Sequence, residues 1–202
     1  MPRAGLGAER LVARIAMAVG ALMLVAAFFL PWASAGDEFR DAAALAPDVV
    51  FYEPTGMTVS GATDISLMEY AQVYGSMGGT WQVYMVIMYA TVGVAAVALV
   101  FAAFGKPVPT VVFGIAAFAA SRLLVWDFGD RGVLPSSTHD WGLAPAVYTV
   151  GLVVVLVASV WMFMLRRQEG KRQEKGVSAR PGGASLDVPE QNVMVFEVRR
   201  VR

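Results

Sequence analysis

Four long apolar stretches divide the chain, and polar segments separate them. Each stretch approaches the roughly 20 apolar residues that cross a hydrocarbon core of about 30 Å as an α-helix. We predict transmembrane helices over residues 15–32, 82–104, 107–126 and 143–165. Backbone amides in lipid must bond within their own segment, which favours helix even where Val and Gly are frequent. The predicted fold is an all-α membrane protein built as a four-helix transmembrane bundle.

The polar segments define the rest of the predicted organisation. They are a cytosolic N-terminus (1–14), an extracytoplasmic loop domain (33–81), a cytosolic turn (105–106), a second extracytoplasmic loop (127–142) and a cytosolic tail (166–202). Lys and Arg concentrate in the first, third and fifth of these segments, whereas Asp and Glu dominate the other two. Basic loops stay on the cytoplasmic side, so we predict a multi-pass plasma-membrane protein with both termini in the cytosol. The basic tail, with its Ser/Pro/Gly-rich stretch, is expected to be mostly disordered.

Tryptophans occur at the outer end of each predicted span. They are Trp32, Trp81, Trp126 and Trp141. Indole rings prefer the headgroup layer, so we predict that these four side chains are interfacial anchors.

The N-terminus also allows a second interpretation. Basic residues, an apolar run and the small residues Ala33, Ser34 and Ala35 resemble a secretory signal with a cleavage site, and removal of residues 1–35 would leave three spans. The length of the apolar run from Ile15 to Leu30 and the following Pro31 favour an uncleaved anchor.

The first outer segment is too long for a bare loop and should have structure of its own. Residues 49–52 and 57–60 flank a turn at 53–56 and predict a small β-hairpin. Ser66, followed three residues later by Glu69, has the form of a capping box and predicts a short amphipathic helix. The loop domain is therefore expected to contain both elements.

Arg122 is the only charged residue within a predicted span. It lies about one helical turn inside Trp126, where a lone charge is costly but still within reach of the interface. It could hold an anionic ligand or a lipid headgroup between helices. Alternatively, it could form a structural ion pair with an outer carboxylate, and the candidates are Asp127, Asp64 and Glu69. Its depth favours the structural role.

Composition narrows the chemistry available to the chain. Hydrophobic residues make up 57% and charged residues 16%, and there is no cysteine, which excludes disulfides and thiolate sites. Nucleotide-binding, zinc-protease and nucleophile-elbow motifs are absent from the sequence. His139 is expected to be a solvated loop residue, and Asp37, Glu38 and Asp41 a solvated acidic surface. We predict no catalytic residue, no metal, no cofactor and no nucleic-acid partner.

Small residues spaced four apart, such as Ala16 with Gly20, would let helix backbones approach closely. They suit packing within the bundle, and they also suit a homo-oligomer or contact with other membrane proteins. The sequence leaves these possibilities open.

The order of a long first outer loop with strands, a tight inner turn, a short second loop and a basic tail resembles the claudin-type four-helix layout. The resemblance implies the layout alone, because this chain lacks the paired cysteines and the Gly-Leu-Trp of the claudin first loop. The Leu30-Pro31-Trp32 ending of the first span resembles that of many small bacterial inner-membrane proteins.

These features favour a non-enzymatic structural, assembly or accessory subunit of a membrane complex. The first alternative is a small transporter or channel component, or a lipid- or anion-binding protein, that uses Arg122. The second is a membrane-embedded enzyme, which would need a polar cluster inside the bundle.

Overall fold

The computed structural model describes the backbone of residues 3–178 and the side chains of residues 7–170. By internal contacts the chain divides into two units, residues 1–166 and 167–202. Beyond residue 178, the tail that was predicted to be disordered lies outside the described residues. Its first part, residues 166–178, continues the helix that begins at Ala144.

The described part of the chain is mostly helical and has two small sheets. The α-helices are α1 (Arg3–Ala26), α2 (Asp37–Leu45), α3 (Leu67–Met77), α4 (Trp81–Ala103), α5 (Pro107–Asp130) and α6 (Ala144–Ser178). The strands are β1 (Pro31–Ala35), β2 (Val50–Tyr52), β3 (Met57–Thr58), β4 (Asp64–Ser66) and β5 (His139–Trp141).

Three helices of the described chain are long and apolar enough to cross a membrane, as expected of a membrane protein. They are α4, α5 and the part of α6 from Ala144 to Gly170. Helix α1 is not among them, because charged residues occupy its first half and its apolar part, residues 15–26, rises only about 18 Å. The predicted helix over residues 15–32 was wrong at its outer end: helix stops at Ala26 and strand β1 begins at Pro31.

Strand β1 is the centre of a three-stranded antiparallel sheet, with β4 on one side and β5 on the other. This pairing joins the segment between α1 and α4 to the segment between α5 and α6. It also places Trp32 in the core rather than at an interface, where its side chain is 0% exposed. The indole Nε1 donates a hydrogen bond to the carbonyl oxygen of Ala27 at 2.9 Å, and the ring lies 6.0 Å from that of Tyr148. Trp32 is therefore not an interfacial anchor.

The structure confirms the two local elements predicted for the first outer segment. Strands β2 and β3 pair around a 3₁₀ turn, Glu53–Thr55, which Gly56 ends in the left-handed conformation. Ser66 and Glu69 form a complete capping box at the start of α3, with Glu69 Oε2 accepting from the Ser66 amide at 2.7 Å. Helix α2 was not predicted. Asp37 and Glu38 lie in its first turn, directly after the N-cap residue Gly36, where negative charge stabilises the positive end of the helix dipole.

The two ends of the bundle differ in what they contain. At one end, the Arg14 side chain lies beside Gly105 in the α4–α5 turn, and Arg166 Nη2 donates to the Gly105 carbonyl at 2.8 Å. We call this the turn end. The opposite end has the three-stranded sheet with α2 and α3, and we call it the sheet end. Helix α1 is thus antiparallel to α4 and α6.

Helices α1 and α6 cross with their backbones in near contact at two glycines. A Cβ atom on Gly20 would lie 2.9 Å from the Gly151 carbonyl oxygen, and one on Gly151 would lie 3.0 Å from the Gly20 carbonyl oxygen. Backbone atoms cannot move aside as the end of a flexible side chain can. Gly20 belongs to one of the small-residue pairs predicted to let helix backbones approach, and the helix that approaches it is α6, at Gly151.

Gly20→Ala is expected to destabilise the bundle by about 1–3 kcal/mol, because the new methyl must push α1 and α6 apart. The thermal unfolding midpoint in detergent, followed by tryptophan fluorescence, measures the loss. Gly93→Ala is the matched control, since a Cβ on this α4 glycine meets nothing within 4 Å. Equal midpoints for the two variants would contradict the close crossing.

Candidate functional site

Arg122 joins helix α5 to the first turns of helix α6. Its Nη2 donates to the carbonyl oxygen of Pro145 at 2.9 Å and lies 3.1 Å from the Thr149 hydroxyl oxygen. The Thr149 hydroxyl donates to the same Pro145 carbonyl at 2.9 Å. The guanidinium carbon lies 4.8 Å from the centre of the Phe118 ring, so the cation also packs on an aromatic face. The arrangement can tie two helices together.

The three carboxylates predicted as partners of Arg122 are engaged elsewhere. Asp127 forms an ion pair with Arg131, one turn further along the helix. Asp64 pairs with Arg40 at 2.8 Å, and Glu69 closes the capping box. The predicted ion pair was therefore wrong in its partner. Arginine has five donors and no acceptor. In this structure a backbone carbonyl and a hydroxyl oxygen of α6 accept its hydrogen bonds in place of the predicted carboxylate.

Arg131 and Asp127 lie in an aromatic cluster where α3, α4 and α5 meet. The guanidinium carbon of Arg131 is 4.2 Å from the ring centre of Tyr84, 5.6 Å from that of Trp81 and 5.7 Å from that of Tyr74. A cation over several ring faces is stabilised by their quadrupoles. This cluster holds α3 on the start of α4, and it gives the predicted anchor Trp81 a packing role.

The sheet end contains a polar cluster around Asp64. The Asp64 carboxylate accepts hydrogen bonds from the Ser34 hydroxyl at 2.6 Å and from Arg40 Nη2 at 2.8 Å. Burial acts to raise the pKa of Asp64, but the hydrogen bonds from Ser34 and Arg40 and the charge of Arg40 outweigh it, so the pKa is lowered. Because the two side chains are still 41% and 37% exposed, solvent screens the pair. The cluster orients α2 against β1 and β4.

His139 is buried, contrary to the prediction of a solvated loop residue. Its Nε2 lies 2.7 Å from the carbonyl oxygen of Ala62, which can only accept, so Nε2 carries the proton. Nδ1 is 2.9 Å from the Thr138 hydroxyl, and the ring packs 5.0 Å from that of Phe39. The histidine therefore joins β5 to the segment between α1 and α4. This burial has no local signature in the sequence, because the hydrogen-bond partner is 77 residues away.

The remaining predicted anchors differ in exposure. Trp126 is 69% exposed and Trp81 40% exposed, both at the sheet-end part of their helices. Trp141 lies in β5 and is partly buried against the core. Their placement in a headgroup layer stays a prediction.

A group of exposed apolar side chains was missed at the sheet end. Leu45 is 88% exposed, and Val49, Val50 and Phe51 are each more than half exposed. We call these four residues the apolar patch. The run Val49–Phe51 was visible in the sequence as strand-forming residues. A strand with one face against the core buries every second side chain, whereas all three side chains of this run in the two-stranded hairpin are more than half exposed.

The described residues contain no group of three or more His, Asp and Glu side chains that could hold a metal ion. Comparison of the chain with protein-family models, curated proteins and solved structures finds no match. The contacts of Arg122, Asp64 and His139 each connect one element of the fold to another.

Arg122→Leu is expected to destabilise the protein by about 1–3 kcal/mol, because α5 and α6 lose a charge-assisted link. Lower thermal stability in detergent and faster proteolysis of the loop 131–143 are the measurements. Leu123→Ala removes a side chain that is 65% exposed on the same helix and serves as the control. Wild-type stability of Arg122→Leu would contradict a structural role for the arginine.

Proposed function

We propose that this chain is a multi-pass protein of the plasma membrane that acts as a non-enzymatic structural or accessory subunit. In this proposal it crosses the bilayer four times, with both termini in the cytosol, and binds a partner protein through the apolar patch. The exposed apolar patch, with Asp48 and Glu53 beside it in the chain, is the observation that supports it.

Helix α1 has features of a fourth crossing. Several large apolar residues along it are about half exposed, and they are Leu11, Val12, Ile15, Val19 and Leu22. Side chains of this kind suit lipid. The helix is too short alone, but the chain continues through the extended strand β1, which rises about 3.3 Å per residue. Non-helical backbone is tolerated at membrane depth where protein covers it, and β1 is paired on both edges.

The charges at the two ends support the orientation. The turn end has Arg14, Lys106 and Arg166. The sheet end has an excess of carboxylates, and the exposed ones of the first outer segment are Asp37, Glu38, Asp41, Asp48 and Glu53. By the positive-inside tendency the turn end belongs in the cytosol and the sheet end outside.

The apolar patch fits a protein partner better than a bilayer. Asp48 precedes Val49 directly and Glu53 follows β2, so the patch has an acidic border. Anionic headgroups would be repelled by that border, whereas a protein with an apolar centre and a basic rim would complement it. A second copy of the same patch would bring like charges together. A different protein is therefore the proposed occupant.

The polar side chains buried in the bundle support a non-enzymatic role. The buried Thr and Ser hydroxyls are occupied by local contacts: Thr91 donates to the Ile87 carbonyl, Thr110 to that of Lys106 and Ser121 to that of Phe118. Ser159 donates to the Met17 sulfur. Together with the bonds of Arg122 to α6, this favours a packed bundle over a site that grips a ligand at Arg122.

Single cysteines in this cysteine-free chain test the four-crossing topology. Ser60→Cys and Ser137→Cys should react with a membrane-impermeant maleimide on intact cells, because both positions are exposed at the sheet end. Gly7→Cys and Lys106→Cys should react only after permeabilisation. Labelling of Gly7→Cys from outside would show that α1 does not cross.

Crosslinking through the patch tests the partner. A photo-crosslinking residue at position 45 should capture one protein in stoichiometric yield, and the same residue at the exposed α3 position 72 should not. The double substitution Leu45→Ser with Val50→Ser should lower co-purification of that protein at least tenfold, as loss of a central contact does. A self-crosslink, or a partner retained by the double variant, would overturn the proposed interface.

A further inference from the structure

The turn end has a cavity that the proposed function does not use. Its volume is about 320 Å³, and it lies between α1, the α4–α5 turn and α6. On the α1 side its wall is formed by Gly7, Arg10, Leu11 and Arg14, whose spacing of three, four and seven residues puts them on one helix face. Arg166 completes a lining with three arginines.

The lining has the chemistry of an anion site. Among the described residues that form it, none is acidic. Arg166 uses Nη2 to hold the Gly105 carbonyl at 2.8 Å, which fixes its guanidinium beside the turn. Gly105 has φ +66°, and the Arg14 side chain lies against it, since a Cβ there would be in van der Waals contact with Arg14 Cδ at 3.5 Å. Planar guanidinium groups favour oxyanions, phosphate above all, since they can donate two parallel hydrogen bonds.

Arg14 is exposed and makes no hydrogen bond or ion pair with the part of the chain that the structure describes. Its five donors are therefore available to a ligand. An arginine stem ordered along a turn beside a second arginine is partly pre-organised, which lowers the entropy cost of binding.

Apolar residues at the same cavity indicate an amphiphilic ligand. Leu11 is 56% exposed and Phe104, at the end of α4, is 71% exposed, and both belong to the lining. A soluble phosphate would leave these side chains unused, whereas a lipid would place its phosphate at the arginines and its glycerol and acyl region against them. We propose that this cavity binds the phosphate headgroup of an anionic membrane lipid. The inference rests on the cytosolic orientation proposed above, where the leaflet is rich in anionic lipid.

Lipid retention tests the site. The full chain is reconstituted in nanodiscs of phosphatidylcholine with a minor fraction of phosphatidylglycerol, released gently, and measured by intact-complex mass spectrometry. Phosphatidylglycerol should be retained in preference to phosphatidylcholine. Arg14→Gln should weaken that retention about tenfold, the effect of losing one charge-assisted contact. Arg14 has no bond to the described chain, so this variant should keep the wild-type unfolding midpoint without lipid.

Two controls separate the alternatives. Lys106→Gln removes an exposed positive charge from the same turn outside the lining and should retain the lipid as wild type does. Arg14→Lys should restore part of the retention. Equal losses in Arg14→Gln and Lys106→Gln would overturn the site in favour of general surface charge. No loss in either variant would also overturn it, because Arg14 would then not hold the lipid.

Inorganic phosphate distinguishes the source of the anion. If phosphate added to the protein in pure phosphatidylcholine raises the unfolding midpoint as much as phosphatidylglycerol does, the lipid proposal fails in favour of a soluble anion. A rise with phosphatidylglycerol alone supports it. Neither result depends on the apolar patch, so the partner proposal and the lipid site can fail separately.

Discussion

Strand β1 is the constraint on which the rest of this structure depends. It follows α1 after a four-residue turn and pairs with β4 on one edge and β5 on the other. Its partners β4 and β5 lie far apart in sequence, at residues 64–66 and 139–141, so β1 joins two distant segments of the chain. The fit is close: a Cβ on Gly142 would overlap the Pro31 carbonyl, and the Gly142 amide donates to the Trp32 carbonyl at 2.8 Å. Trp32 then fills the space between the sheet and the first turns of α6.

Local sequence information was sufficient for several elements. Helices α4, α5 and the start of α6 were predicted within a few residues because their apolar length decides the structure in lipid. The β2–β3 hairpin and the capping box of α3 depend on turn and cap chemistry within a few positions. The end of α1 was not predictable in this way. A tryptophan after an apolar run is compatible both with the interfacial end of a helix and with a buried strand. The strand forms because β1 pairs with β4 and β5, which are distant in sequence.

The candidate site shows the same division. Arg122 was identified correctly as the charged residue of the third predicted span, but its partner was not, because a backbone carbonyl has no sequence signature. Asp64 and Asp127 each have a nearer arginine, Arg40 and Arg131, and a carboxylate paired there has little to gain from a more distant cation. The burial of His139 depends on the position of Ala62, which the sheet determines.

The glycine crossing links the two ends of the molecule. Between Arg14 at the turn end and Pro31 at the sheet end, α1 is held against α6 at Gly20 and Gly151 with no room for a side chain. A helix fixed at its centre can neither slide nor rotate without a steric clash, so packing determines where each end of α1 lies. The close crossing lies between Arg14 beside Gly105 and the start of β1, so a displacement of α1 at Gly20 would reach both ends. Any change that displaces α1 must be absorbed by the turn at residues 27–30 or be felt at both ends.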